Sequence, residues 1–196
     1  MDIVAALFSA LGLSASAGLN AYIPLFVMGL VNRFTGLIEL SAPYDIVSNW
    51  WVLGTLVVLI VIEVFADNAP VVNHVNDLIQ TFIRPSAGAL AFAASTDGIH
   101  MNPVLAVVIG LFVAGSVHTT KAVVVRPAIT ATTGGLANPP VSIAEDVISA
   151  SISFLALAIP ILIGVLILAF GYPIVRWVVR LRRRKAGIRT SGPTNS

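Results

Sequence analysis

The chain has 196 residues, of which 57% are hydrophobic and only 10% are charged. Soluble domains contain about 25% charged residues, so this composition excludes an ordinary soluble domain and indicates a chain that folds in lipid. Because the sequence contains no cysteine, disulfide frameworks, thiolate zinc sites, iron–sulfur clusters and cysteine nucleophiles are excluded as well.

The first uncharged region, residues 3–32, is too long for one simple membrane span, since about 20 apolar residues cross the hydrocarbon core. Gly18, Asn20 and Pro24 lie near its middle. The region therefore predicts two helices, or one broken helix, that meet near Asn20. A cleaved signal peptide is disfavoured, because such peptides begin with basic residues and this chain begins Met1-Asp2.

Residues 46–62 predict the next span, with Trp50 and Trp51 as an anchor at the membrane interface. Residues 71–84 have the spacing of an amphipathic helix that is too polar to span the membrane and is expected to lie in its interface; His74 is interpreted as an interfacial residue of this helix. Residues 85–96 are apolar but too short to cross, which favours a half-crossing or re-entrant element.

Three further regions complete the predicted membrane part. Residues 98–117 form a span interrupted early by Pro103, residues 122–144 contain a single charged residue, and residues 147–175 are uncharged with Pro160 inside. The last region predicts a long kinked helix or two elements. The sequence thus predicts an all-α, polytopic transmembrane bundle of five to seven membrane elements, in one domain of residues 1–185.

Basic residues are concentrated at the C-terminal end. Seven of the eleven Lys and Arg residues lie in the last 21 positions, so residues 1–175 carry four basic and nine acidic groups. A basic cluster directly after an apolar span with Tyr172 and Trp177 predicts a cytoplasmic C-terminus. The placement of charge predicts no nucleic-acid partner, and residues 186–196 are expected to be a disordered polar tail.

A weak internal repeat relates two segments of the chain. Residues 26–32 read FVMGLVN and residues 112–118 read FVAGSVH, at an offset of 86. Two halves, residues 1–95 and 96–185, are the interpretation that this match favours, and inverted repeats with broken helices are typical of secondary transporters. The alternative is a chance match, because Phe, Val and Gly are common in membrane helices.

Two acidic side chains follow the second predicted region. Glu63 and Asp67 are spaced i, i+4, which places their Cβ atoms about 5–6 Å apart on one helix face. Two carboxylates so close favour binding of a proton or a cation. The alternative is that Asp67 lies at the water interface, with Glu63 a short distance inside.

A polar run begins at His118 and reads HTTKAVVVRPAITATTGG. On a continuous helix, Thr119, Arg126, Thr130 and Thr133 share one stripe, although Pro127 makes continuity doubtful. Lys121 and Arg126 either neutralise the acids Glu63 and Glu145 or bind an anionic ligand or lipid headgroup. The segment PPVSIAEDV reads as a helix start that places Glu145 and Asp146 in an early turn, where the helix dipole favours anions.

Three stretches together resemble a known family of bacterial integral membrane proteins, domain of unknown function 4126. They read SASAGLNAYIPLFVMGLVNRFTG, EVFADNAPVVNHVNDLIQTFIRPSAGALAFAAS and KAVVVRPAITATTGGLANPPVSIAEDV, and the resemblance covers most of residues 10–160. It implies a multi-pass protein of the bacterial inner membrane. It transfers no activity and no site residues.

Two functional hypotheses follow. In the first, the chain is a small transporter or channel for an ion or solute: Glu63 with Asp67 binds a coupling proton or cation, and Glu63→Gln abolishes transport with folding intact. Asn20 and His118 lie on the ion or substrate pathway, and Lys121 and Arg126 bind an anionic substrate group or hold the acids. In the second, it is a non-transporting assembly or lipid-interacting protein whose basic tail meets anionic lipid.

No enzymatic motif is present, and no metal or other cofactor is expected. The expected partners are membrane lipid, a small ion or solute, and a second copy of this small chain.

Overall fold

A computed structural model describes residues 2–68 and 70–169 together with residues 171, 173 and 176, and gives no side-chain description for residues 67–78. All regular structure in this part of the chain is helical. The α-helices are α1 (Ile3–Leu19), α2 (Tyr22–Phe34), α3 (Trp50–Asn68), α4 (Pro70–Thr96), α5 (Pro103–Thr120), α6 (Arg126–Thr133), α7 (Asn138–Ala158) and α8 (Pro160–Ala169).

Asn20 separates α1 from α2, which confirms the break predicted near this residue. Its backbone is extended, with φ −142° and ψ 125°, and the N–H groups of Tyr22 and Ile23 donate to its side-chain oxygen at 3.0 and 3.1 Å. An amide oxygen that accepts from the first N–H groups of a helix stabilises its start. Asn20 therefore ends one helix and supports the next.

Helix α4 runs without interruption from Pro70 to Thr96, so the prediction of a separate short element over residues 85–96 is wrong. Pro85 lies inside this helix. Six of the eight residues 87–94 are alanine or glycine, and there α4 packs closely on α1 and α5. Helices α4 and α5 approach each other closely at Gly88 and Gly110, since a Cβ on Gly110 would lie 2.5 Å from the carbonyl oxygen of Gly88.

The segment from α5 to α6 is continuous over Pro103–Thr133, so the predicted division into residues 98–117 and 122–144 is wrong. Pro103 begins α5, and the preceding Asn102 caps it by accepting from two backbone N–H groups. A π-helical turn, Lys121–Val125, joins α5 to α6. Pro127 has no N–H to donate to a carbonyl one turn back, and the wider turn accommodates that loss.

The last apolar region divides into two helices, which confirms the second of its two predicted forms. Helix α7 ends at Ala158, the next residue Ile159 has a non-helical backbone with φ −140° and ψ 69°, and Pro160 begins α8. The segment from residue 177 onward, including the predicted tail 186–196, lies outside the described residues. The proposed sequence repeat stays a prediction.

The bundle buries mainly small or polar side chains, and many large apolar side chains are exposed on its outside. Its buried side chains include many alanines and the serines 9, 14, 16, 149 and 153, whereas Phe65, Phe112 and Phe154 are exposed by 72, 69 and 54%. Two segments, Pro103–Thr133 and Asn138–Ala158, are long and apolar enough to cross a membrane, and shorter apolar helices accompany them.

Candidate functional site

Five ionisable side chains from different parts of the chain meet inside the bundle. We call them the charged cluster: Glu63 of α3, Arg84 of α4, His118 of α5, Lys121 of the π turn and Glu145 of α7. All five are buried, with 1 to 8% of their surface exposed. Charged groups are rarely buried unless they are paired, so their contacts decide what the cluster can do.

The first pair joins α3 to α4. Arg84 donates from Nη2 to Oε1 of Glu63 at 2.8 Å. Its Nη1 lies 3.4 Å from Nδ1 of His118, whose Nε2 lies 3.3 Å from the hydroxyl of Thr81. Arg84 therefore links an acid on one neighbouring helix to an imidazole on another.

The second pair joins the π turn to α7. The Lys121 ammonium lies 2.6 Å from Oε2 of Glu145 and donates to the backbone carbonyl of Leu19 at 3.2 Å. Leu19 is the last residue of α1, where the helix dipole favours a cation. Lys121 also lies within electrostatic reach of Arg84, so the two pairs form one cluster.

A polar seam between α1 and α7 extends from the cluster. Asn20 donates to Oδ1 of Asp146 at 2.9 Å. Within about two turns of this contact, the hydroxyl of Ser16 in α1 lies 2.7 Å from the hydroxyls of Ser149 and Ser153 in α7. The seam fixes α1 against α7 on the side where α1 breaks.

The interpretation of Glu145 and Asp146 as early-turn acids is wrong. Helix α7 begins at Asn138, close to the predicted start, and has no acidic residue in its first turn. Glu145 and Asp146 are therefore its eighth and ninth residues, where the helix dipole no longer favours an anion. Glu145 is paired with Lys121 of the π turn, and Asp146 accepts a hydrogen bond from Asn20 between α1 and α2. The expectation that Lys121 neutralises Glu145 is confirmed.

Glu63 is paired with Arg84, which the sequence reasoning did not single out. Gln80 was missed as well, one turn before Arg84 on the same face of α4. Both side chains are 1% exposed, and Gln80 Oε1 and Arg84 Nε have no hydrogen-bond partner in the described part of the chain. The only sequence signal was an arginine directly before the small, apolar run PSAGALAFAA.

The remaining predicted residues lie at the edge of the cluster or away from it. Arg126, the first residue of α6, is half-buried and within electrostatic reach of Lys121. Thr130 is exposed, like most of α6, which buries no residue, and it bonds to Asn138 across the turn between α6 and α7. The side chains of Asp67 and His74 lie outside the described residues, so the proposed pair of Glu63 with Asp67 stays a prediction.

A cavity of about 380 Å³ opens at the other end of α1. Its lining includes Ser9 of α1, Ser95 of α4, Leu157 of α7 and the loop 36–41. It is separate from the charged cluster, since none of the five cluster residues lines it. Within the described residues, no group of three His, Asp or Glu side chains is arranged to hold a metal ion.

Residues 7–180 match the family described as Domain of unknown function (DUF4126). The chain belongs to the DUF4126 family. The match covers the whole charged cluster and the α1–α7 seam. No curated protein and no solved structure matches the chain.

Proposed function

We propose that this DUF4126 protein is a multi-pass protein of the bacterial inner membrane that moves a small ion or solute through the bundle. The exterior supports the membrane part of the proposal. Contiguous large apolar patches are rare on soluble monomers, whereas here phenylalanine, valine, leucine and isoleucine side chains are exposed along α3, α5, α7 and α8. The basic residues after position 175 favour a cytoplasmic C-terminus.

The observation that carries the transport part is the burial of two complete ion pairs, Glu63–Arg84 and Lys121–Glu145, inside a bundle with an apolar exterior. A charged side chain inside a membrane costs at least about 2.5–3.5 kcal/mol on insertion scales. Packing alone does not require that cost, because apolar side chains of similar volume fill the same space. Intramembrane ion pairs mark ion and substrate pathways by default.

The backbone around the cluster supports the same proposal. The cluster lies where α1 is interrupted at Asn20 and where the π turn interrupts α5–α6. Transporter sites are typically formed by discontinuous helices, and π turns occur frequently at functional sites. An ion or solute that replaces one partner of a pair there would change the position of the helix that carries it.

Electrical and tracer measurements in proteoliposomes test the proposal. Wild type, Glu63→Gln, the double variant Glu63→Gln/Arg84→Gln and Glu39→Gln are compared under a proton step and with panels of small cations and anions. Glu39 is the matched control, because it is an exposed glutamate of the loop between α2 and α3. We expect flux in wild type and Glu39→Gln, and its loss in both cluster variants. Glu63→Gln alone leaves the buried Arg84 without its acidic partner. The double variant replaces Arg84 as well, so a loss of flux in the double variant cannot be ascribed to an unpaired buried charge.

Two outcomes contradict the proposal. Full flux in the double variant removes the Glu63–Arg84 pair from the pathway. Absence of any current and any tracer movement in wild type, with a protein that is folded in the vesicles, favours the assembly or lipid-interacting hypothesis.

The membrane part has its own test. Phe112, 69% exposed near the middle of α5, is replaced by lysine. If it faces lipid, stability in bilayers falls by about 2.5–3.5 kcal/mol; if it faces water, the change stays within about 0.5 kcal/mol. Glu39→Lys in the exposed loop is the control and is expected to be neutral.

A further inference from the structure

We infer that His118 is the proton-binding site of this DUF4126 protein, and that its protonation releases Arg84. The inference deepens the proposed function and rests on it, because it names the coupled ion as a proton. It starts from the hydrogen-bond roles of the imidazole ring. Within the described side chains, its nitrogens face Arg84 and Thr81.

The Arg84 contact determines which ring nitrogen carries the proton. A guanidinium group has only donors and is not deprotonated in proteins. Arg84 Nη1 faces Nδ1 of His118 at 3.4 Å, so a hydrogen bond between these two atoms requires Nδ1 to be the acceptor. The ring is then neutral, with its proton on Nε2, which donates to the hydroxyl of Thr81 at 3.3 Å.

Protonation removes this arrangement. An imidazolium donates from both nitrogens, so an Nδ1–H group would point at the Arg84 guanidinium. Two hydrogen-bond donors and two positive charges would then face each other, and the contact would become repulsive. The contact then has to open, and Arg84 moves relative to α5. Glu63 holds the other end of Arg84, so the displacement is passed to α3.

The groups that face His118 give this step its charge balance. Arg84 and Thr81 of α4 contact the imidazole ring, and Glu63 of α3 pairs with Arg84. Lys121 lies about one helical turn after His118 in the chain and pairs with Glu145 of α7. The cluster residues Glu63, Arg84, Lys121 and Glu145 carry two negative and two positive charges, and Arg126 adds a cation within electrostatic reach of Lys121. Protonated His118 adds one positive charge, which an accompanying anion or a rearranged acid has to compensate.

Histidine is the side chain that ordinarily changes charge between about pH 5 and 8, and this chain has only three histidines. Histidine-selective ¹⁵N NMR of the full chain in lipid bilayers therefore tests the inference directly. The variant His118→Asn identifies the His118 signals by their loss. We expect neutral His118 to carry its proton on Nε2 and to become doubly protonated as the pH falls, and we expect the Glu63–Arg84 contact to change in the same pH range.

Transport provides the second measurement. Asparagine places an acceptor oxygen where Nδ1 lies but does not titrate, so His118→Asn keeps the Arg84 contact at every pH. We expect at least about a tenfold loss of proton uptake in this variant, equivalent to about 1.4 kcal/mol. His100→Asn is the matched control: His100 is exposed and has φ +54°, a left-handed conformation that asparagine adopts readily.

The outcomes separate the inference from the proposed function. Proton uptake by His118→Asn at the wild-type rate, or a neutral ring protonated on Nδ1, overturns the role of His118. If wild type transports a solute without any proton movement, the transport proposal stands and the proton inference fails. If wild type transports nothing, the proposed function fails, and the NMR titration still decides whether His118 binds a proton and releases Arg84.

Discussion

The ammonium group of Lys121 lies 3.2 Å from the carbonyl oxygen of Leu19, so a residue of the π turn closes the C-terminal end of α1. The last carbonyls of a helix have no partner within it. Here one of them is satisfied by a cation that is also paired with Glu145. The break in α1 and the irregular turn of α5–α6 therefore depend on the same side chain.

Pro127→Ala tests the origin of the π turn. Alanine restores an N–H that can bond to the carbonyl four residues earlier, so we expect the turn to become regular and Lys121 to rotate away from Leu19 and Glu145. Flux then falls while the helix content measured by circular dichroism stays constant. Pro140→Ala, at the exposed start of α7, is expected to leave flux unchanged. Wild-type flux in Pro127→Ala means that Lys121 keeps its position without the proline.

Glu63→Gln is expected to destabilise the protein, which changes the prediction made from sequence that folding stays intact. Removing one partner of a buried ion pair costs about 3–5 kcal/mol, because the other charge stays buried. The pair is 1 and 3% exposed. Unfolding in detergent gives the free energies of Glu63→Gln, Arg84→Gln and the double variant. We expect the double variant to lose less than the sum of the two single losses; strict additivity contradicts a direct interaction.

Gly110→Ala tests the contact of α4 with α5. A Cβ at this position would lie 2.5 Å from the carbonyl oxygen of Gly88 and 2.6 Å from Cβ of Phe92. Overpacking of this kind costs about 1–3 kcal/mol, and we expect that loss in the free energy of unfolding. Gly54→Ala on α3 is the control, because its Cβ meets nothing within 4 Å. There the gain in helix propensity is up to about 1 kcal/mol. Equal stabilities of the two variants contradict the close packing.

The features that the sequence predicts well depend on residues close together in the chain. The break at Asn20 follows from a short side chain that bonds to N–H groups two and three positions later. The start of α8 at Pro160 follows from a proline that lacks an N–H group. Such signals are local, so they can be recognised without knowing what packs against them.

The features that the sequence does not predict depend on contacts between distant segments. Pro85 would be expected to end a helix, yet α4 continues past it, and the part after Pro85 is rich in alanine and packs against α1 and α5. Arg84 and Glu63 lie 21 positions apart on different helices, so no periodicity indicates that they meet. Charge balance alone offers Lys121 and Arg126 as partners for Glu145. The fold shows that Lys121 forms the ion pair.

The α1–α7 seam has a consequence for biosynthesis. Its hydrogen bonds join residues separated by 126 to 137 positions, so α1 leaves the ribosome long before α7 exists. At about 5–20 residues per second this interval lasts on the order of ten seconds. During that time the serines and Asn20 of α1 lack their α7 partners. We therefore expect the insertion machinery, or α4 and α5, to stabilise the nascent first helix during this interval. A chain truncated before α7 is expected to be a substrate for membrane proteases.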